Sequence, residues 1–552
     1  MTLIYYTIQA IIIALILSLV IIIVGLIIKS KIKKDNNISD LKLKKIKKLI
    51  ISNESLLEDV PEGGLNKKNS FFDFKEALKK INQTETVEEV ILDVDKMELT
   101  AVQIDELKDL FKDMNKNKKV IALASNLDNI KYRIAMLADT IYMYNSLNSS
   151  MLLKGYSRSF IYFKKLFDKI GVKVNVLHIG DYKSAGENYH KEEMSEEQRT
   201  SITRIYDKML ENFIDEIKDR RNVDIKEKLL NGDLVLINHI KAKEYGLIDG
   251  ISNLDKLEID YSKDTEELIP FSKKVKVKNK SKNVIGVICA EGAIMPNNKS
   301  ESIITYDDML EKIESLQEIK NLKGVILRIN SPGGSALESE RIYKELKNLD
   351  VPIFISMSSV AASGGYYIST VAKKVFLNPS TITGSIGVVS MYPTFDEISN
   401  KVGLNIETVN SGVATEIFDL KQPLTDELRE KLIQSMRDVY IEFKKHVMTA
   451  RVMTDERLEK IAQGKIWLGN EAVEIGLADK IGGFDDCLKA LLDYLNIKEY
   501  KLHFTKRKIS LVDSLKNNIS NIPFTAEISN ELNMIQANKY KPMYFMNVKI
   551  DF

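Results

Sequence analysis

The sequence predicts an α/β chain in which one domain of about 230 residues occurs twice in tandem, behind a single apolar helix at the N-terminus. Three observations lead there. Short apolar runs alternate with longer amphipathic stretches, the pattern of βαβ units around a parallel sheet. The landmarks of that pattern recur at a nearly constant spacing. From Thr2 to Ile28 no side chain carries a charge.

The apolar segment comes first. Residues 4–28 are expected to form a transmembrane anchor, because about 20 apolar residues span a bilayer as a helix. A cleaved signal peptide usually has a charged start, a shorter apolar core and a small-residue cleavage site. This segment has no charged start and runs directly into Lys29, Lys31, Lys33 and Lys34. Nine lysines lie between positions 29 and 48, against Asp35 and Asp40. By the positive-inside rule they favour a cytoplasmic side for the body of the chain. Residues 29–70 are expected to be a basic tether, with Leu41 to Ile50 an amphipathic stretch suited to lipid headgroups.

The repeat follows from counting. Ile91 and Ile326 lie 235 apart, Val120 and Ile353 233, Ala138 and Ala372 234, Gly171 and Gly403 232, and Asp249 and Asp479 230. Around these landmarks each copy shows the same succession. The first has strands near Val90–Val94 and Lys119–Ala124 flanking a helix from Ala101. The second has strands near Val325–Ile329 and Val351–Met357 flanking a helix from Glu338. The copies are bounded at 71–261 and 284–500, with a lysine-rich linker at 262–283 and a tail without clear pattern at 501–552.

Composition narrows the function. The 80 basic and 78 acidic residues leave a net charge of +2, which argues against a nucleic-acid partner held by bulk electrostatics. Two cysteines without metal spacing favour neither a disulfide framework nor a metal site.

Three patterns carry chemistry. Asn330-Ser331-Pro332-Gly333-Gly334-Ser335 sits between a strand and a helix, and its glycines can present bare N–H groups to an oxyanion or a phosphate. An ordinary tight turn explains it as well. Ala361-Ala362-Ser363-Gly364-Gly365-Tyr366 follows a strand and opens a helix, an arrangement that exposes a nucleophilic serine beside oxyanion donors. A helix N-cap serine fits the same pattern. A nucleophilic serine needs a base, and none of the five histidines falls in these motifs. A lysine made neutral by burial can serve. Lys183, in Gly180-Asp181-Tyr182-Lys183-Ser184-Ala185, follows the apolar strand Val172–Ile179. Taken alone, it reads equally as a surface lysine.

The repeat adds weight to this pair. Ser363 corresponds to Asn129, and Lys183 to Thr415, so the copy with the serine lacks the lysine and the reverse. This is the pattern of a duplicated enzyme that divided one active site between its halves. The site is then expected where an N-terminal copy meets a C-terminal copy.

With these motifs and Thr383-Gly384-Ser385-Ile386-Gly387, the chain from about 70 to 490 resembles the long, tandem form of the signal peptide peptidase A (protease IV) family. The resemblance implies two Clp/crotonase-like domains, each an α/β superhelix of ββα units, and a serine endopeptidase with a Ser/Lys dyad. By motif match Ser363 is the nucleophile, Lys183 the base and Ser385 the residue that orients the lysine. The backbone of Gly333, Gly334 and Gly364 forms the oxyanion hole. The resemblance also implies peptide substrates such as signal-peptide remnants, a membrane partner, a homo-oligomer that is a tetramer in long forms, and no metal or other cofactor. It implies an extracytoplasmic catalytic body, opposite to the side the lysines favour. A crotonase-like acyl-CoA enzyme and a membrane scaffold with a degenerate site are the rival readings.

Overall fold

A computed structural model describes residues 47–53, 59, 70–253, 268, 281–296, 303–404, 407, 409, 411, 424–505 and 543–545. The anchor expected at 4–28 lies outside them. Among the described residues no helix is long and apolar enough to cross a membrane.

The first half contains β1 (Lys48–Asn53), β2 (Glu89–Met97), β3 (Lys119–Ala124), β4 (Asn126–Asp128), β5 (Thr140–Tyr144), β6 (Ser150–Leu152), β7 (Lys173–Ile179), β8 (Ile237–Asn238) and β9 (Gly250–Ser252). Five of them form a parallel sheet in the order β1-β2-β3-β5-β9. The helix Ala101–Asn117 starts on a capping box, in which Thr100 and Gln103 exchange side-chain and backbone bonds. Its Ile104, Leu107 and Phe111 pack with Val90, Leu92 and Val120 of the sheet.

One expectation needs correction. The stretch read as a basic tether, 29–70, contains β1. Leu49, Ile50 and Ile51 pair with Val90, Ile91 and Leu92 and are buried. Burying an aliphatic side chain is worth about 1.5–3 kcal/mol, so this apolar triplet gains more as an edge strand than in a solvated tether or on lipid headgroups.

The second half contains β10 (Val284–Glu291), β11 (Ala293–Ile294), β12 (Ile303–Ile304), β13 (Leu322–Ser331), β14 (Gly333–Ser335), β15 (Ile353–Ala362), β16 (Lys374–Leu377), β17 (Ile382–Gly384), β18 (Val388–Thr394), β19 (Ile466–Leu468), β20 (Lys480–Ile481), β21 (Lys501–Phe504) and β22 (Met543–Phe545). Its main sheet runs β19-β17-β15-β13-β10-β21, with β16 bridging β15 to β20. The tail thus contributes two strands, β21 beside β10 and β22 farther on.

The duplication extends to individual bonds. Tyr132 Oη donates to Leu247 O at 2.7 Å, and Tyr366 Oη donates to Leu477 O at 2.8 Å. Asp249 accepts from Ile141 N–H at 2.7 Å, and Asp479 from Val375 N–H at 2.7 Å. Each aspartate also pairs with an arginine ending a 26-residue helix, Arg221 in one copy and Arg451 in the other.

Two of the features that join the halves bear on the site. One is a buried ion cluster. Glu106 pairs with Lys75 at 2.8 Å and with Arg328 of β13 at 2.7 Å, and Arg328 also pairs with Asp59 at 3.1 Å. Burial alone would raise the Glu106 carboxyl, but Arg328 and Lys75 reverse that and lower it to about 2. The other is a mixed sheet in the order β12-β11-β14-β22-β18-β7, in which β7 of the first half pairs antiparallel with β18 of the second.

Candidate active site

The β7–β18 ladder positions the site. Its register sets Ile179, the last residue of β7, opposite Val388, the first of β18. The four residues after Ile179 lead to Lys183, and the three before Val388 lead back to Ser385. An antiparallel pair therefore delivers a lysine from one copy and a serine from the other to the same end of the ladder. Ser363 arrives from a third direction, at the end of β15. Its N–H donates to Gly384 O at 2.8 Å, and its carbonyl accepts from Tyr367 N–H at 2.8 Å.

Lys183 Nζ lies 2.7 Å from Ser363 Oγ, 2.7 Å from Ser385 O and 3.0 Å from Ser385 Oγ. Lys183 is 2 % exposed and Ser363 is fully buried. Desolvation by burial holds the Lys183 amine well below its ordinary value of 10.5. Among the described residues no carboxylate pairs with it. Lys183 Nζ can donate to the carbonyl and hydroxyl of Ser385 and to the Ser363 hydroxyl; a neutral amine in this place would turn its lone pair to one of the two hydroxyls.

The backbone is strained at the two serines that touch the lysine. Ser363 has φ 56° and Ser385 φ 51°, a region that costs a non-glycine residue of order 1–3 kcal/mol. Ser363 stands at the N-cap position of the helix Gly364–Ser369, yet its side chain makes no capping bond. The hydroxyl is directed to the amine instead, which separates the two local readings of this serine.

The expected oxyanion glycines converge beside it. A Cβ on Gly364 would stand 3.2 Å from both Gly333 Cα and Gly334 N, and 2.6 Å from Ser339 Oγ. Gly334 has φ 150°, and a Cβ there would overlap Ile294 O. Of the three N–H groups, that of Gly333 donates to Ser331 Oγ at 3.2 Å.

Sequence reasoning missed the loop Ala462–Lys465. Gln463 O accepts from Tyr182 N–H at 2.8 Å, and its side chain accepts from Asp181 N–H at 3.0 Å. Lys465 O accepts from Ser385 N–H at 2.7 Å, and Gly464 N–H donates to Ile386 O at 2.8 Å. The loop thus clamps both the lysine segment and the serine segment. The lysine backbone passes so close to Gly464 that a Cβ there would sit 2.4 Å from Lys183 N. The local signal was a glycine three residues beyond a helix, which names no partner.

Among the described residues, the place of Ser363 in the first copy holds no such constellation. Asn129 takes the position of Ser363, and its side chain is tied to the backbone of Lys154 by bonds of 2.7 and 3.1 Å. Thr415, the counterpart of Lys183, lies outside the described residues.

The sequence profile of peptidase family S49 matches residues 112–266 and 345–498, more than half of the chain. The chain belongs to peptidase family S49. One S49 match falls in each copy, and the Clp protease profile matches residues 276–383. The chain is therefore an S49 peptidase of Clp-like, mixed α/β fold with two S49 domains. It is similar to Protease 4 of Haemophilus influenzae, 31% identical over 443 residues covering 73% of this chain and 70% of that protein. It is similar to Protease 4 of Salmonella typhi, at 27% identity over 82% of this chain and 76% of that one. It is also similar to the chloroplastic serine protease SPPA of Arabidopsis thaliana, at 32% identity over 63% of this chain and 54% of that one.

Proposed function

We propose that this S49 peptidase is a membrane-anchored serine endopeptidase in which Ser363 is the nucleophile and neutral Lys183 its general base. The 2.7 Å separation of a buried amine and a buried hydroxyl carries this reading. Lys183 takes the Ser363 proton as the oxygen attacks a peptide carbonyl. The resulting ammonium, held by Ser385 O and Oγ, returns the proton to the leaving amine. Water then hydrolyses the acyl-enzyme with Lys183 again as base. Backbone N–H groups at Gly334 and Gly364, joined by Gly333 once it releases Ser331, stabilise the oxyanion.

Residues 4–28 anchor the chain, and the repeats at 71–261 and 284–500 form the catalytic body. Substrates are cleaved signal peptides and other short or unfolded peptides near the bilayer, and the assembly is a homo-oligomer, a tetramer by family resemblance. The body is read as extracytoplasmic. The lysines after the anchor oppose this, and a reporter fused to the C-terminus decides the side. The central test is covalent labelling by a fluorophosphonate. Label on Ser363 that is lost in Ser363→Ala, together with loss of peptide cleavage, is expected. Peptide cleavage that persists in Ser363→Ala or Lys183→Ala would remove the dyad and reopen the scaffold and acyl-CoA readings.

A further inference from the structure

We propose that Gln463 is a positioning residue for the dyad, and that Glu459 acts through it by fixing which way its amide faces. The proposal rests on the peptidase reading above. Glu459 sits on the helix Asp455–Ile461, and Gln463 follows that helix. The Gln463 backbone has φ 57°, so a third non-glycine residue at this site, after Ser363 and Ser385, holds a strained conformation. Its carbonyl accepts from Tyr182 N–H at 2.8 Å, and its side-chain oxygen accepts from Asp181 N–H at 3.0 Å. One residue thus takes the two N–H groups just before that of Lys183.

A primary amide has two ends of opposite polarity, and only its oxygen can accept from Asp181 N–H. The other end, Nε2, donates to Glu459 Oε1. A carboxylate accepts and does not donate, so Glu459 admits the amide nitrogen and excludes the oxygen. Glu459 is itself held through its second oxygen, by Lys444 Nζ at 2.6 Å and Tyr440 Oη at 3.3 Å. Both partners come from the helix Asp426–Arg451. Contacts therefore run from Lys444 and Tyr440 to Glu459, to Gln463, to the turn before Lys183, and so to Lys183 Nζ beside Ser363 Oγ. Lys444, Tyr440, Glu459 and Gln463 all belong to the serine copy. That copy sets the approach of a lysine it does not carry.

Comparison of the copies separates this role from that of holding the fold. The helix Gly469–Glu474 has its counterpart 230 residues earlier, in His239–Glu244. At that spacing Gln463 corresponds to Asp233, Gly464 to Leu234 and Glu459 to Leu229. Leu229 and Leu234 are buried in the core of the first copy. The tyrosine and aspartate bonds that hold each copy together recur in both, whereas the amide–carboxylate pair stands in the copy that meets Lys183. Losing its hold would let the Asp181–Tyr182 turn shift and admit water to the amine. Desolvation keeps that amine well below 10.5, so water would raise it.

The test measures peptide cleavage, fluorophosphonate labelling of Ser363 and thermal unfolding on the full chain and three variants of it. Gln463→Met keeps the length of the side chain and removes the acceptor. Gln463→Glu keeps an acceptor for Asp181 N–H but sets a second carboxylate against Glu459. Gln463→Glu combined with Glu459→Gln restores one donor and one acceptor across the pair. Each single variant should lose about tenfold or more in kcat and in labelling rate with KM little changed, as misplacement of a reacting group does. The lower limb of kcat/KM against pH, which reports the base of the free enzyme, should move to higher pH. The double variant should recover most of the loss and return the limb to its place. Single variants that melt lower but keep kcat and the position of the limb overturn the proposal, as does a double variant no more active than Gln463→Glu. Should one single variant fail to fold, the other decides by the same criteria. Failure of both to fold assigns Gln463 to the fold alone and also overturns it. In each of these cases label on wild-type Ser363 leaves the peptidase reading standing, and absence of that label defeats both.

Discussion

Replacing Lys183 by methionine should abolish peptide cleavage and at the same time change how the stability of the protein depends on pH. The substitution keeps an unbranched side chain of similar length and removes only the ammonium chemistry. Lys183 is nearly inaccessible, and burial holds its amine well below 10.5. Burying such a group without a carboxylate partner destabilises the folded chain below the amine's unfolded value. Methionine removes that cost. Against it stands the loss of partners for Ser385 O and the two hydroxyls, about 1–3 kcal/mol for each buried group left unpaired. The second effect does not depend on pH and the first does, so pH separates them. The sign also fixes a pH dependence. The folded value lies below the unfolded one, so the unfolded chain binds the extra proton and wild-type stability rises with pH up to about 10.5. The stability of the methionine variant relative to wild type should therefore fall on approaching that pH. Thermal unfolding of both proteins from pH 7 to 10.5 measures this. A variant less stable than wild type at pH 7, by an amount that does not change with pH, would refute the neutral-lysine argument.

Three further outcomes are expected. Glu106, lowered from 4.5 to about 2 by Arg328 and Lys75, contributes roughly 3 kcal/mol that is fully present above 4.5 and is lost as the pH falls toward 2. Acid unfolding of Glu106→Gln should lack that part of the wild-type pH dependence. In Gly464→Ala the new Cβ meets the Lys183 backbone at 2.4 Å from a φ of 81°, so kcat and the labelling rate of Ser363 should fall together, although the residue touches no substrate. Gly364→Ala, whose Cβ would stand 3.2 Å from Gly334 N, should lower kcat by about 10²–10³ with KM little changed, the magnitude of losing one oxyanion donor.

The parts of this fold that could be read from the sequence are those set by local periodicity and by self-comparison. The strand Lys119–Ala124 has the bounds expected of it, because it is a short apolar run between helical patterns. The meeting of Lys183 with Ser363 was legible through the repeat, since Lys183 alone looks like any other lysine. What stayed hidden depends on partners distant in the chain. Nothing in Leu49-Ile50-Ile51 names Val90–Leu92 as its neighbour. Nothing in Gln463-Gly464 names Tyr182. Met543–Phe545 is three residues long, too short for any period to show.

On the proposed dyad, these hidden contacts explain how a site split between the copies is assembled. A buried lysine base must arrive without a carboxylate beside it, or its proton would be held too firmly. It must also meet a serine whose own turn is strained at φ 56° and has no slack to reach outward. A lysine on the β15 turn itself would share that strain and that crowding. Brought in from the other copy by the β7–β18 ladder and clamped by the Ala462–Lys465 loop, it can be placed without distorting the serine. On the proposed reading, with one copy supplying the serine and the other the lysine, the duplicate residues have no catalytic task. Asn129, bonded to the Lys154 backbone, shows the structural use to which that position is put.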